Sequence, residues 1–198
     1  MRRDALTQLL CSRYRVLFAE YRLDATRSGM AWGFQHDDGW FTIVDALASV
    51  LTAHAPEATA AYVKQKMGAM GFSLHEGDAF TYGACAAAKR FSMTISEVSG
   101  RRGVLMVGRQ GRWLKTLAPG ELAGFVPVSR DAFQADGAGH CSLEVVDFHA
   151  GPRSSTSGPQ ACGAQGFHQA IMKRLHPVTG ACGPVNDQGI MASGTEDE

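Results

Sequence analysis

Residues 30–51, MAWGFQHDDGWFTIVDALASVL, decide the fold. Ile43, Val44, Leu47, Val50 and Leu51 fall on one apolar stripe at helical period, which marks a core-facing helix. Thr42 followed three residues later by Asp45 reads as a capping box at its start. The approach is rich in aromatics and glycine: Trp32, Gly33, Phe34, Gly39, Trp40 and Phe41. Two tryptophans and two phenylalanines beside the helix start can bury enough apolar area for other elements to assemble there.

Upstream, Leu6, Leu9, Leu10, Tyr14, Leu17, Phe18 and Tyr21 form a second stripe and predict a helix over 3–21. Downstream, Pro56 stops the central helix near His54, because the residue before proline avoids helical geometry. Alternation over Thr59–Leu74, with Gly68–Gly71 as the turn, predicts a hairpin over a competing helix. Asp78 is an N-cap for a helix running to about Met93, whose small residues Gly83, Ala84, Ala86, Ala87 and Ala88 suit packing against a sheet.

Short strands follow at 103–107 and 112–117 around a Gly108–Gly111 turn. Residues 118–127 read as irregular, 143–148 as a further strand and 166–175 as a short helix. The Gly-, Ser- and Pro-rich stretch 151–166 and the polar end 177–198 read as flexible or ordered only on a partner. The expected fold is α+β: helices on a small antiparallel sheet, a zinc-less ribbon-like hairpin and a partly flexible C-terminal extension. A core domain spans 1–128, including a ribbon-like segment at 95–117, and the extension spans 129–198.

Composition narrows the function classes. At 198 residues the chain suits one domain with an appendage. It contains no run of about 18 apolar residues that could span a bilayer, so no membrane partner is expected. The N-terminus starts with charge, but Gln8, Arg13 and Arg15 interrupt any signal-peptide core, which suggests a cytoplasmic protein. Five cysteines without a CxxC pair suggest reduced thiols rather than a disulfide framework. Net charge is zero, yet residues 1–130 carry 16 Lys and Arg against 11 Asp and Glu, while 131–198 carry 3 against 8.

The order of motifs over residues 1 to about 122 resembles a family of small uncharacterised bacteriophage and prophage proteins. The resemblance lies in SRYRVLF, MAWGFQHDDGWFTIVDAL, VKQKMGAMGFSL, ISEVSG and GRWLKTL. It implies a phage or prophage origin. Where the family has a Cys-Glu-x-Cys-Gly knuckle this chain has Ser96, Glu97, Val98, Ser99 and Gly100, and the later Cys-x-x-His positions fall in Ala118–Glu121. Serine hydroxyls are too weakly acidic to be structural zinc ligands. The ribbon is therefore expected to hold no zinc and to rely on apolar packing by Val104, Met106, Trp113 and Leu117.

Three sets of side chains are candidates for function. Lys89, Arg90, Arg101, Arg102, Arg109, Arg112 and Lys115, with Trp113 between them, could grip phosphates and stack a base, or could be a solvated face docked to the acidic tail. His140, Cys141, Cys162, His168, His176 and Cys182 are metal-capable types, but their spacings match no zinc motif. His36 with Asp37, Asp38 and Asp45 could do acid–base work, although aspartates at a helix start also suit a turn and the helix dipole. Cys85 reads as packed rather than nucleophilic. There is no GxSxG and no P-loop.

The expected function is a non-enzymatic phage or prophage accessory protein, without cofactor or metal, that binds and inhibits a host factor. Its most concrete form is an anti-defence, anti-CRISPR-like inhibitor of a host protein or nucleoprotein complex. The alternatives are a nucleic-acid-binding module using the basic patch 89–115 and a small enzyme centred on His36 and Asp38.

Overall fold

The structure is a computed structural model that describes residues 2–26, 28–108, 113–128 and 159–175. The predicted strand at 143–148 lies outside the described residues, as do Arg109, Arg112, His140, Cys141, His176 and Cys182. Four α-helices and two small antiparallel sheets make up the described part, so the α+β class holds.

Helix α2, Phe41–His54, is the centre. Ile43, Val44, Ala46, Leu47, Ala48 and Leu51 are all at 1 % exposure or less, so the helix is buried around most of its circumference and not along one stripe only. It has no side-chain cap at its start. The chain enters directly from a 3-10 turn, Asp38–Trp40, which makes Trp40 the N-cap and puts Asp45 too far along to reach back. The predicted capping box is absent for that reason, and Asp45 is buried against Arg13 and Arg174 instead.

Helix α1 is shorter than predicted, Arg2–Arg13. Beyond it the backbone mixes four-residue closures (Phe18 N–H to Tyr14 O, 3.0 Å) with three-residue ones (Tyr21 N–H to Phe18 O, 3.0 Å). The apolar period survives this irregular stretch, because Leu10, Tyr14, Leu17 and Phe18 all enter the core. Trp32 does not. It ends a 3-10 turn, Gly29–Trp32, in which Met30 takes the inward position, leaving the indole 73 % exposed.

Strands β1, Ala60–Lys66, and β2, Ala69–Leu74, form the predicted hairpin. Its turn is Met67–Gly68, earlier than the glycines suggested, with φ of 55° and 77° at the two central residues. Two consecutive left-handed residues fit the twist of antiparallel strands, and the earlier turn lets Met70 reach the core.

Helix α3, Ala79–Ser92, opens with a complete capping box: Asp78 accepts from Thr81 N–H at 2.9 Å and Thr81 Oγ1 accepts from Asp78 N–H at 2.9 Å. Its small-residue face receives another helix as well as the hairpin. Helix α4, Pro159–Leu175, begins inside the stretch read as flexible and packs on α2 and α3. The approach is backbone-close. A Cβ on Gly83 would stand 2.0 Å from Gln160 O, and one on Gly163 would stand 1.9 Å from Phe80 O. Phe167 and Ile171 complete the core, which thus extends past residue 128.

The second sheet has the order β4–β3–β5, from Leu114–Leu117, Val104–Gly108 and Phe125–Pro127. The region 118–127 is thus partly a strand, because Phe125–Pro127 pairs with Met106–Gly108. Thr116 Oγ1 donates to Gly68 O at 2.6 Å and Gln65 Nε2 donates to Leu114 O, which ties this sheet to the hairpin. Among the described residues no helix is long and apolar enough to cross a membrane.

Candidate functional site

The ribbon-like segment is held by polar groups. Ser96 Oγ accepts from the N–H groups of Val98 and Ser99, both at 3.2 Å, and donates to Glu121 Oε2. The same carboxylate oxygen accepts from Ala118 N–H at 2.9 Å, and Arg101 Nη2 approaches Glu121 Oε1 at 3.4 Å. One serine hydroxyl and one carboxylate thereby join the two loops, 96–100 and 118–121. Burial would raise the Glu121 carboxyl, but the donors Ser96, Ser99, Ala118 N–H and Arg101 outweigh it and hold it below the ordinary value. Of the four side chains expected to pack here, Met106 and Leu117 are buried, while Val104 is 47 % and Trp113 67 % exposed. Three strands of three to five residues have too few inward positions to form a core, so hydrogen bonds to the loops carry the rest.

A second polar cluster lies between this segment and the approach to α2. Lys115 Nζ donates to Asp37 Oδ2 at 3.0 Å and to Glu97 Oε1. Glu97 is 1 % exposed, and its other oxygen, Oε2, has no hydrogen-bond partner among the described residues. Burial pushes the Glu97 carboxyl up, Lys115 opposes that, and the nearby Asp37 carboxylate adds to it. For Lys115, burial would lower the ammonium, but Glu97 and Asp37 outweigh it and raise it. The loop is pressed against Gly39, where a Cβ would stand 2.3 Å from Ser96 O. Gly39 N–H donates to Glu97 O at 2.8 Å and Trp40 Nε1 donates to Ile95 O at 2.8 Å, so the fully buried Trp40 anchors the segment to the helical core.

These contacts sort the candidate residues. Lys89 and Arg90 are exposed in the last turn of α3, five or six residues before the Ile95–Arg102 bridge that opens the ribbon. Arg101, Arg102 and Trp113 are exposed on the ribbon itself. Lys115 differs: its ammonium is turned inward onto two carboxylates, so it braces the segment and is not part of an outward basic set. Arg109 and Arg112 lie outside the described residues.

The acid–base set is divided among structural roles. Asp45 accepts from Arg174 Nε at 2.6 Å, Arg13 Nη1 at 2.7 Å and Tyr14 Oη at 2.8 Å, tying α1, α2 and α4 together. Burial would raise its carboxyl, but these three donors outweigh it and keep it low. His36 and Asp38 line a cavity of about 20 Å³ with Leu6, Leu10, Phe34 and Phe41, which is room for about one water. A wider, shallow cleft of about 350 Å³ lies by Asp37, Asp38, Val98 and Leu122.

Of the thiols, burial pushes Cys85 up to about 12, which suits packing and not nucleophilic attack. Cys162 and His168 are exposed on α4. Among the described residues, no three His, Cys, Asp or Glu side chains are grouped to hold a metal.

Comparison with known proteins finds no family model, curated protein or solved structure that matches the chain.

Proposed function

We propose that this chain is a non-enzymatic accessory protein of phage or prophage type. It binds and inhibits a host protein or nucleoprotein complex through the exposed side chains of its ribbon-like segment, most concretely as an anti-defence, anti-CRISPR-like inhibitor. The observation that carries the binding face is Trp113: an indole left 67 % exposed just before β4, at the opposite end of the same hairpin from exposed Arg101 and Arg102. An exposed tryptophan adds nothing to the core, whereas tryptophan and arginine are the residue types that dominate recognition surfaces. The phage-type origin rests on the sequence resemblance.

The enzyme alternative is weaker. Asp45 is committed to three structural donors and Asp37 to Lys115, the cavity that His36 shares with Asp38 has room for about one water, and the wider cleft at Asp37 and Asp38 is not lined by His36. The test is affinity capture from bacterial lysate with and without nuclease. A defined complex that survives nuclease supports inhibition of a host assembly. Material recovered only without nuclease makes the chain a direct nucleic-acid binder, and recovery of nothing above background removes the reading.

A further inference from the structure

A second basic and aromatic set flanks the 3-10 turn Gly29–Trp32, on and beside the strand β1 whose Gln65 bonds the ribbon at Leu114 O. Side chains three apart in a 3-10 helix eclipse one another, so Trp32 rises on the side of the turn that the Gly29 position faces. That side is Tyr62: a Cβ on Gly29 would stand 3.0 Å from Tyr62 Cβ. Lys64 Nζ lies 4.5 Å from the Tyr62 ring centroid. On β1, Tyr62, Lys64 and Lys66 share one face by alternation, opposite the buried Val63. At the turn's other end a Cβ on Gly33 would stand 3.1 Å from Tyr21 Cε2, and the Arg22 guanidinium lies 5.1 Å from the Tyr21 ring centroid.

The surface thus combines a nearly free indole, two cation-over-ring pairs and the exposed Lys66. Two carboxylates flank Arg22 in sequence: Glu20, whose Oε2 lies 2.7 Å from His75 Nε2, and Asp24, which accepts from Thr26 N–H at 2.9 Å and keeps its charge. We infer that this face, built from Arg22, Trp32, Tyr62, Lys64 and Lys66, binds single-stranded nucleic acid, with Trp32 stacking a base and the three cations following the phosphates. Charge complementarity favours this occupant. Lys64 and Lys66 on one face of β1, with Arg22 as a third cation, suit a polyanion, and rings beside them suit a strand whose bases are unpaired. The inference does not depend on the ribbon face.

The test is fluorescence anisotropy of a labelled oligo-dT and a labelled oligo-U with the full chain across a salt series, comparing wild type, Trp32→Ala, Lys64→Ala/Lys66→Ala and Trp113→Ala. Trp32 is mostly exposed, so its replacement leaves the fold intact, which circular dichroism checks. Expected are binding that weakens with salt at a log–log slope of about −2 for three phosphate contacts, a loss of about fivefold or more in Trp32→Ala, and no change in Trp113→Ala. Stronger binding to one oligonucleotide assigns the strand as DNA or RNA. Absence of binding by the wild type, or equal affinity in Trp32→Ala, overturns this inference while leaving the ribbon proposal standing. Loss confined to Trp113→Ala transfers the binding to the ribbon and likewise overturns it.

Discussion

The helical half and the ribbon half of this molecule are stabilised by different physics. Around α2 the stabilising atoms are carbon: Leu47, Leu51, Met70, Phe167 and Ile171 are fully buried, and α3 and α4 approach until only glycine fits between them. In the ribbon they are oxygen and nitrogen: Ser96, Glu121, Glu97, Lys115 and Asp37 hold the loops, and half of the expected apolar set faces water. A short sheet cannot bury much area, and at roughly 25 cal/mol per Å² a few half-exposed residues contribute little. A polar clasp fixes such a segment without covering its outer face. Trp113, Arg101 and Arg102 thereby stay outside.

The sharpest way to break this contrast is to remove carbon from the helical half. Phe167→Ala, at a position 1 % exposed, is expected to cost about 3–5 kcal/mol, which is on the order of 10 °C in Tm for a chain of this size. Thermal unfolding checks it, and a shift of a degree or two would mean that α4 is not part of the core. Asp45→Ala is expected to come next, at about 3 kcal/mol, because removing one partner leaves buried donors uncompensated. The low end of the range applies, since Arg13 is half-exposed and can turn to water. Denaturant midpoints measure it.

In the ribbon the expected effects are smaller. Ser96→Ala removes a hydroxyl that accepts from two N–H groups and donates to Glu121, and should cost about 1–2 kcal/mol. Amide exchange should accelerate at Val98 and Ser99 and not in α2. Uniform acceleration would show that the two halves are not separable.

The smallest effect is a pH dependence. The Glu97 carboxyl is raised in the folded protein by burial and by Asp37. Its folded form therefore holds a proton longer than its unfolded form does, and the stability this provides is present at low pH and lost as pH rises from the unfolded value through the raised folded one. Relative to Glu97→Gln, which cannot ionise, the wild type should lose Tm over the window that opens at about pH 4, the unfolded carboxyl's value, as the raised folded carboxyl ionises. A constant difference across that window would contradict the raised carboxyl.

Periodicity made the helical half legible. Ile43, Val44, Leu47 and Leu51 at helical spacing and the Asp78 cap define α2 and α3 without any structure, because each signal is local. Asp45 misled for the same reason: three residues after Thr42 it resembles a cap, and only the fold brings Arg13, Tyr14 and Arg174 to it. Trp32 and Trp113 look like core residues in sequence, and burial alone distinguishes them from Trp40. The Lys115 clasp was hidden because Asp37 lies 78 positions away and Glu97 lies 18 away. The basic run 89–115 was visible, but sign and spacing could not separate the outward Arg101 and Arg102 from the inward Lys115. The surface around Trp32 left one faint signal, the alternation Tyr62, Lys64, Lys66 on a predicted strand.

The claim that the ribbon's outer face is the working surface is tested most directly by the triple variant Arg101→Ala/Arg102→Ala/Trp113→Ala, compared with wild type in both thermal unfolding and capture of a host complex from lysate. These side chains are exposed, so the expected result is a Tm within a few degrees of wild type together with at least about tenfold less complex retained, the scale of losing hot-spot residues. Equal retention of the same complex at equal Tm would contradict the assignment of function to this face.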